Sequence, residues 1–321
     1  MPLLHPVVKK ILLIASLLLI VPAAQAAFPL KVQHRQGNLT LEQAPTRVAV
    51  FDLGVLDTLD ALGVSAAGAP QMAGPAYLKA KYEGRDAANI GTLFEPDYAA
   101  LEALKPDLII IGGRSSAAYD KLSEVAPTID LSIAPDQFLA GVHGNLQLLG
   151  ALFDKEQRAA QLDAELKQAL AALHGKSQGV SSLTLFTIND ALMLHAPGER
   201  FGMLNEVLGT QAVVEAVAPS AQAQARPAPD SPEAKQLRER QKVRLEAALK
   251  EQPQWLVVLD RGAATGGEGK GPQTLAHHAD IAAGSAYQNG QVFYLEPATW
   301  YIATGGYQGL MATLKDFSAA L

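Results

Sequence analysis

Five short runs of aliphatic and β-branched residues punctuate the chain: Val48–Phe51, Leu108–Ile111, Leu183–Ile188, Leu256–Leu259 and Val292–Leu295. They are continuous rather than alternating, the mark of strands buried on both faces in parallel sheets. Helical patterns fill the intervals, which predicts an α/β architecture. One interval differs from the rest. Lys155–His174 has no Gly or Pro and is rich in Ala, Leu, Glu, Gln and Lys, so it predicts one uninterrupted helix closed by Gly175 as its C-cap. With α/β patterns on both sides, it predicts two lobes, residues 27–150 and 177–321, joined by a rigid helix over residues 151–176.

The first 26 residues follow other rules. Lys9 and Lys10 precede the apolar run Ile11 to Val21, and Ala24-Gln25-Ala26 is a small-x-small site. This predicts a secretory signal over residues 1–26 and a mature chain from Ala27, placing the protein in a bacterial periplasm. A membrane anchor needs about 20 apolar residues, and Pro22 and Gln25 end the run early. The whole chain of 321 residues is 49% hydrophobic and 18% charged, with a net charge of -6. Without Lys9 and Lys10 the balance is 24 basic against 32 acidic residues. That balance argues against nucleic acid or an anionic membrane as general partners. The absence of cysteine excludes disulfides, thiolate metal sites and a cysteine nucleophile. A metal must be held by oxygen or nitrogen, or arrive already chelated.

The chemistry concentrates at strand ends. Glu102-Ala103-Leu104-Lys105 leads through Pro106 and a strand to Arg114; Glu246 to Lys250 leads through Pro253 and a strand to Arg261. The proline-to-arginine spacing is the same in both halves, and carboxyl ends of strands are where open α/β sheets present ligand contacts. Arg200 lies in the turn Gly198-Glu199-Arg200-Phe201-Gly202. Guanidinium forks suit multi-oxygen anions, but each arginine has a carboxylate nearby, Glu199 or Asp260, that offers a plain ion pair. Trp300-Tyr301 follows the last strand. Its phenol suits a ferric ion or an aromatic ligand, and equally suits ordinary packing. His277-His278 are adjacent and diverge on a helix, while His143, His174 and His195 are scattered, so no protein-built metal site is evident. There is no G-x-S-x-G, Walker A or G-x-G-x-x-G pattern. Gly262–Gly271 and the Ala/Gln/Pro-rich Ala218–Ser231 read as loops. Nothing demands an enzyme.

Gly91-Thr92-Leu93-Phe94-Glu95-Pro96-Asp97, followed by Leu104-Lys105-Pro106-Asp107-Leu108 through Arg114, resembles the periplasmic ferric-siderophore-binding proteins of ABC importers. The long helix, Arg200-Phe201-Gly202, Leu259-Asp260-Arg261 and Trp300-Tyr301 continue the match over essentially the whole mature chain. The resemblance is to the subgroup binding catecholate and mixed catecholate–citrate chelates. It implies two α/β lobes bridged by one long helix, a cleft between them, and no covalently bound cofactor. It also implies Arg114, Arg200 and Arg261 around the anionic Fe3+ chelate, with Trp300 and Tyr301 beside it. Tyr301 would ligate iron only where the chelator leaves coordination incomplete. In that subgroup a loop histidine accompanies the tyrosine; Ala218–Ser231 holds none, which leaves His195 or His277 as substitutes, or a chelate already complete. The resemblance further implies a monomer that docks on a permease through one acidic residue per lobe. Glu246 matches in the second lobe; Ala99 stands at the first-lobe position, with Glu95 and Glu102 nearby. Haem or corrinoid capture by the same architecture is the alternative of the same class. An exported siderophore-processing hydrolase, or an interaction protein with no small ligand, are the alternatives of other classes.

Overall fold

The computed structural model describes residues 28–71, 74–82, 87–188, 190–218, 228 and 230–321. The expected signal segment, and residues 219–227 and 229 of the expected loop, lie outside the described residues. An antiparallel hairpin, β1 (Leu30–His34) and β2 (Gly37–Leu41), precedes the first sheet. That sheet contains β3 (Val48–Val50), β4 (Gly68–Ala69), β5 (Ala88–Asn89), β6 (Leu108–Ile111) and β7 (Thr128–Asp130), all parallel, in the order β5-β4-β3-β6-β7. The second contains β8 (Ser181–Ile188), β9 (Ala191–Leu194), β10 (Gln211–Ala212), β11 (Trp255–Asp260) and β12 (Val292–Tyr294). Its path is β10-β8-β11-β12, parallel throughout, with β9 antiparallel to the later half of β8. In both sheets the chain builds outward on one side, then crosses back to build on the other. The crossings fall between β3 and β6 and between β8 and β11, and such switch points open a crevice at the carboxyl ends of the strands.

The continuous apolar runs have the cause the sequence suggested. Every residue of β6 is fully buried. Leu108 and Ile110 face one core while Ile109 and Ile111 face another across the sheet. The second sheet divides likewise, Val257 and Leu259 on one side, Leu256 and Val258 on the other. The first of these cores is continuous through both lobes and includes the helix between them.

That helix runs Glu156–Ser177 and buries Ala159, Leu162, Leu166, Leu170 and Leu173 on one stripe, the spacing of an amphipathic helix. The expected cap at Gly175 is incorrect: Gly175 lies inside the helix, and the left-handed turn falls at Gly179. Residues 151 and 152, expected in the linking segment, instead close the preceding helix, Phe138–Leu152. The chain then returns. Its last helix, Tyr307–Ala320, packs on the linking helix and on the first-lobe helix Leu53–Leu62. Asp57 of that first-lobe helix is fully buried and accepts the amides of Gln308 (2.6 Å) and Gly309 (3.1 Å), together with the Tyr77 hydroxyl. Buried charge is tolerated here because the carboxylate caps the positive end of the last helix.

Candidate functional site: an arginine-ringed interlobe cleft

The first switch point opens on a cavity of about 430 Å³ between the lobes, which Arg200, Phe201 and Tyr301 line from the second lobe. Asp52 enters from the end of β3. Its Oδ1 accepts the Val55 amide at 2.9 Å and caps the Leu53–Leu62 helix. From β6 the chain passes through Gly112 and Gly113 to Arg114. A Cβ on Gly112 would stand 2.1 Å from Asp52 Oδ2, so only glycine lets these two strand ends lie side by side. Ser115 Oγ fixes the turn, accepting the Gly112 amide at 3.1 Å and donating to Phe51 O at 3.1 Å. In the second lobe Asp260 accepts the amides of Gly262 (2.8 Å) and Ala263 (3.3 Å), which starts a helical turn on Arg261.

The three arginines meet at Tyr301. The guanidinium carbons of Arg114, Arg200 and Arg261 lie 4.7, 5.1 and 5.9 Å from the centre of its ring. Arg261 Nε donates to the phenol oxygen at 3.0 Å, and Arg114 Nη2 donates to the Tyr301 carbonyl at 2.5 Å across the lobe boundary. The carboxylates that offered plain ion pairs are engaged elsewhere: Glu199 pairs with Arg244 at 2.9 Å, and Asp260 holds backbone amides. Burial alone would raise the Tyr301 phenol. The Arg261 hydrogen bond and the charges of Arg261, Arg114 and Arg200 outweigh it and hold the phenol below the usual tyrosine range. Asp52 moves the other way. Burial pushes its carboxyl up, against the Val55 and Gly54 amides, while Asp130 adds to the rise and Arg114 opposes it. The cleft therefore stabilises negative charge at the arginines and disfavours it on its own carboxyl.

Behind Tyr301 stands an aromatic wall. Phe186 stacks on Tyr301 at 5.8 Å, Phe201 lies 6.4 Å from it, and His195 meets both phenylalanines edge-on at 5.7 and 5.1 Å. His195 is thus separated from the cleft by two rings, and burial depresses its pKa to about 4. His277 is exposed and borders a separate depression with Leu192 and Leu237. Neither histidine stands beside Tyr301. Trp300, expected at the ligand, is instead a core residue. It is 2% exposed, packs on Phe138 at 6.0 Å, and donates to Thr313 Oγ1 at 2.8 Å. Adjacent residues on a short helix point apart, so bringing Tyr301 to the cleft turns Trp300 inward. No group of three metal-binding side chains occurs among the described residues.

The sequence profile of a family described as a periplasmic binding protein matches residues 48–299. The chain belongs to this family. It is 30% identical to the petrobactin-binding protein YclQ of Bacillus subtilis over 295 residues, 91% of this chain and 87% of YclQ. The crystal structure of YclQ superimposes with a TM-score of 0.77 at 27% identity, covering 90% of this chain and 97% of that one. The catecholate-siderophore-binding protein VctP of Vibrio cholerae gives 0.75 at 27% identity, over 89% and 99% of the two chains. In this periplasmic binding protein the acidic residues considered for docking lie outside the cleft wall: Glu95 and Glu102 are exposed, and Glu246 is part-exposed, 3.9 Å from Lys242. Sequence reasoning missed Asp52 and Phe94 as cleft residues. Asp52 was within reach of the rule that found Arg114, being the first polar residue beyond a buried strand. Phe94 gave no such signal.

Proposed function

We propose that this protein captures a ferric siderophore of the catecholate or mixed catecholate–citrate type outside the cytoplasm and delivers it to an inner-membrane ABC importer. One observation carries the reading: Arg114, Arg200 and Arg261 converge on Tyr301, which lines the cavity between the lobes together with Arg114 and Arg200. A ferric catecholate presents several anionic oxygens around one metal. Guanidiniums in a partly dry cleft neutralise them through charge-assisted hydrogen bonds. The arginine-lowered phenol of Tyr301 supplies an iron donor where the chelate arrives incomplete. The names of YclQ and VctP, which specify petrobactin and catecholate siderophores, support this ligand class. The protein acts as a monomer and as a carrier rather than an enzyme. It is exported by a cleaved signal over residues 1–26 and docks through Glu246 in the second lobe and Glu95 or Glu102 in the first.

Fluorescence titration of the chain from Ala27 tests this. Ferric catecholates should quench saturably, Trp300 being next to Tyr301 in sequence, and Arg114→Ala or Arg261→Ala should weaken binding by about tenfold or more. Saturable binding of haem but not of ferric catecholates would replace the ligand assignment. Unchanged affinity in both arginine variants would remove it.

A further inference from the structure

Phe94 is the most exposed large apolar side chain among the described residues, at 66%. A single exposed apolar residue is ordinary, but the placement of this one is not. Phe94 borders the interlobe cavity beside Arg114 and Tyr301. Its ring centre lies 5.7 Å from the Arg114 guanidinium carbon, which has Tyr301 at 4.7 Å. Arg114 therefore has an aromatic ring from each lobe within cation–π range.

The turn carrying Phe94 is also fixed. Gly91 has φ 100° and pairs with Pro96 in an antiparallel bridge; a Cβ there would stand 2.4 Å from Glu95 O. Thr92 N donates to Glu95 O at 2.9 Å, and Thr92 Oγ1 accepts the amides of Phe94 (3.3 Å) and Glu95 (3.0 Å). The backbone that carries the ring is thus ordered before any ligand arrives, so presenting Phe94 to one costs little backbone entropy.

We propose that Phe94 is a specificity-determining residue of the cleft, stacking on aryl arms of the bound chelator and selecting aryl chelates over those built from aliphatic hydroxycarboxylates. This rests on the ferric-siderophore reading above. The arginines answer to negative charge and serve either chelate. Only a ligand with a flat π surface gains from the exposed ring, by about three- to tenfold in affinity.

The test measures binding of a ferric catechol chelate and of ferric dicitrate to wild type and to Phe94→Ala, Phe94→Leu and Phe94→Tyr. Matching melting curves control for folding. The expected result is a three- to tenfold loss for the catechol chelate in the Ala and Leu variants, restoration in the Tyr variant, and no change for any citrate binding. Wild-type catechol affinity in Phe94→Ala or Phe94→Leu, or an equal loss for citrate, overturns the role of Phe94 alone. A wild-type protein that binds neither chelate overturns the siderophore reading itself.

Discussion

Replacing His195 with phenylalanine isolates the energetic cost of burying a titratable ring behind the aromatic wall of the cleft. Both ring nitrogens are buried without a hydrogen-bond partner, and the ring packs against Phe186 and Phe201. Burial is the leading cause of its depressed pKa; Glu199 opposes it, while Arg200 and Arg244 reinforce it. The folded value is about 4 against 6.5 in an open chain. A base depressed in this way contributes stability above its unfolded pKa and loses it as pH falls toward the folded value. Between about pH 7.5 and about pH 5 the loss amounts to about 2 kcal/mol. Phenylalanine keeps a flat ring in the aromatic cluster and does not titrate. Urea unfolding of both proteins at the two pH values should therefore show the stability difference shifting by about 2 kcal/mol toward the variant on acidification. Any pH-independent gain or loss from repacking cancels in that comparison. A difference that is the same at both pH values would refute the burial argument.

Asp57→Asn should behave with the opposite sign. Burial raises Asp57 from 3.8 to about 6 against its hydrogen bonds, so wild type should gain about 1.4 kcal/mol on the variant between about pH 7.5 and about pH 5. The same unfolding series reads it, and a shift toward the variant rejects it. Arg261→Ala removes a hydrogen bond and a charge from the Tyr301 phenol. An ultraviolet titration should show that phenol ionising at higher pH than in wild type; an unchanged or lower pKa would contradict the assigned cause. Gly112→Ala forces a methyl group toward Asp52 Oδ2. Stability should fall by about 1–3 kcal/mol in denaturant unfolding, and a variant as stable as wild type would show that the two strand ends can separate freely.

The parts of the fold readable in the sequence were those encoded locally. Leu108–Ile111 matches its strand end for end because a run of four aliphatic residues between Asp107 and Gly112 has few other uses. The linking helix was legible from its composition, but its end was not. Glycine inside a helix is tolerated where neighbouring turns hold it, and Gly175 lies within such a helix. At the site, Arg114 and Arg261 stood out because strand ends face ligands. Their convergence on one phenol depends on how two sheets are set against each other, which no local pattern records. Trp300 shows the same limit: which of two neighbouring aromatics turns inward is decided by Phe138, far off in sequence, and by Thr313 on the following helix. Phe94 was hidden for another reason. An aromatic residue in a turn has no periodicity, and only the surrounding cleft gives its exposure meaning.

Asp57 also bears on the order in which the molecule can be assembled. Its carboxylate, in the first helix of the first lobe, accepts backbone amides 251 and 252 residues later in the chain. Those amides lie on the helix that packs over Leu53–Leu62, so the same docking event that covers Asp57 also supplies two of its donors. A chain that emerges amino end first therefore completes this face of its first lobe last, although that lobe has a complete sheet of its own. The two lobes lock together, late, when the final helix docks.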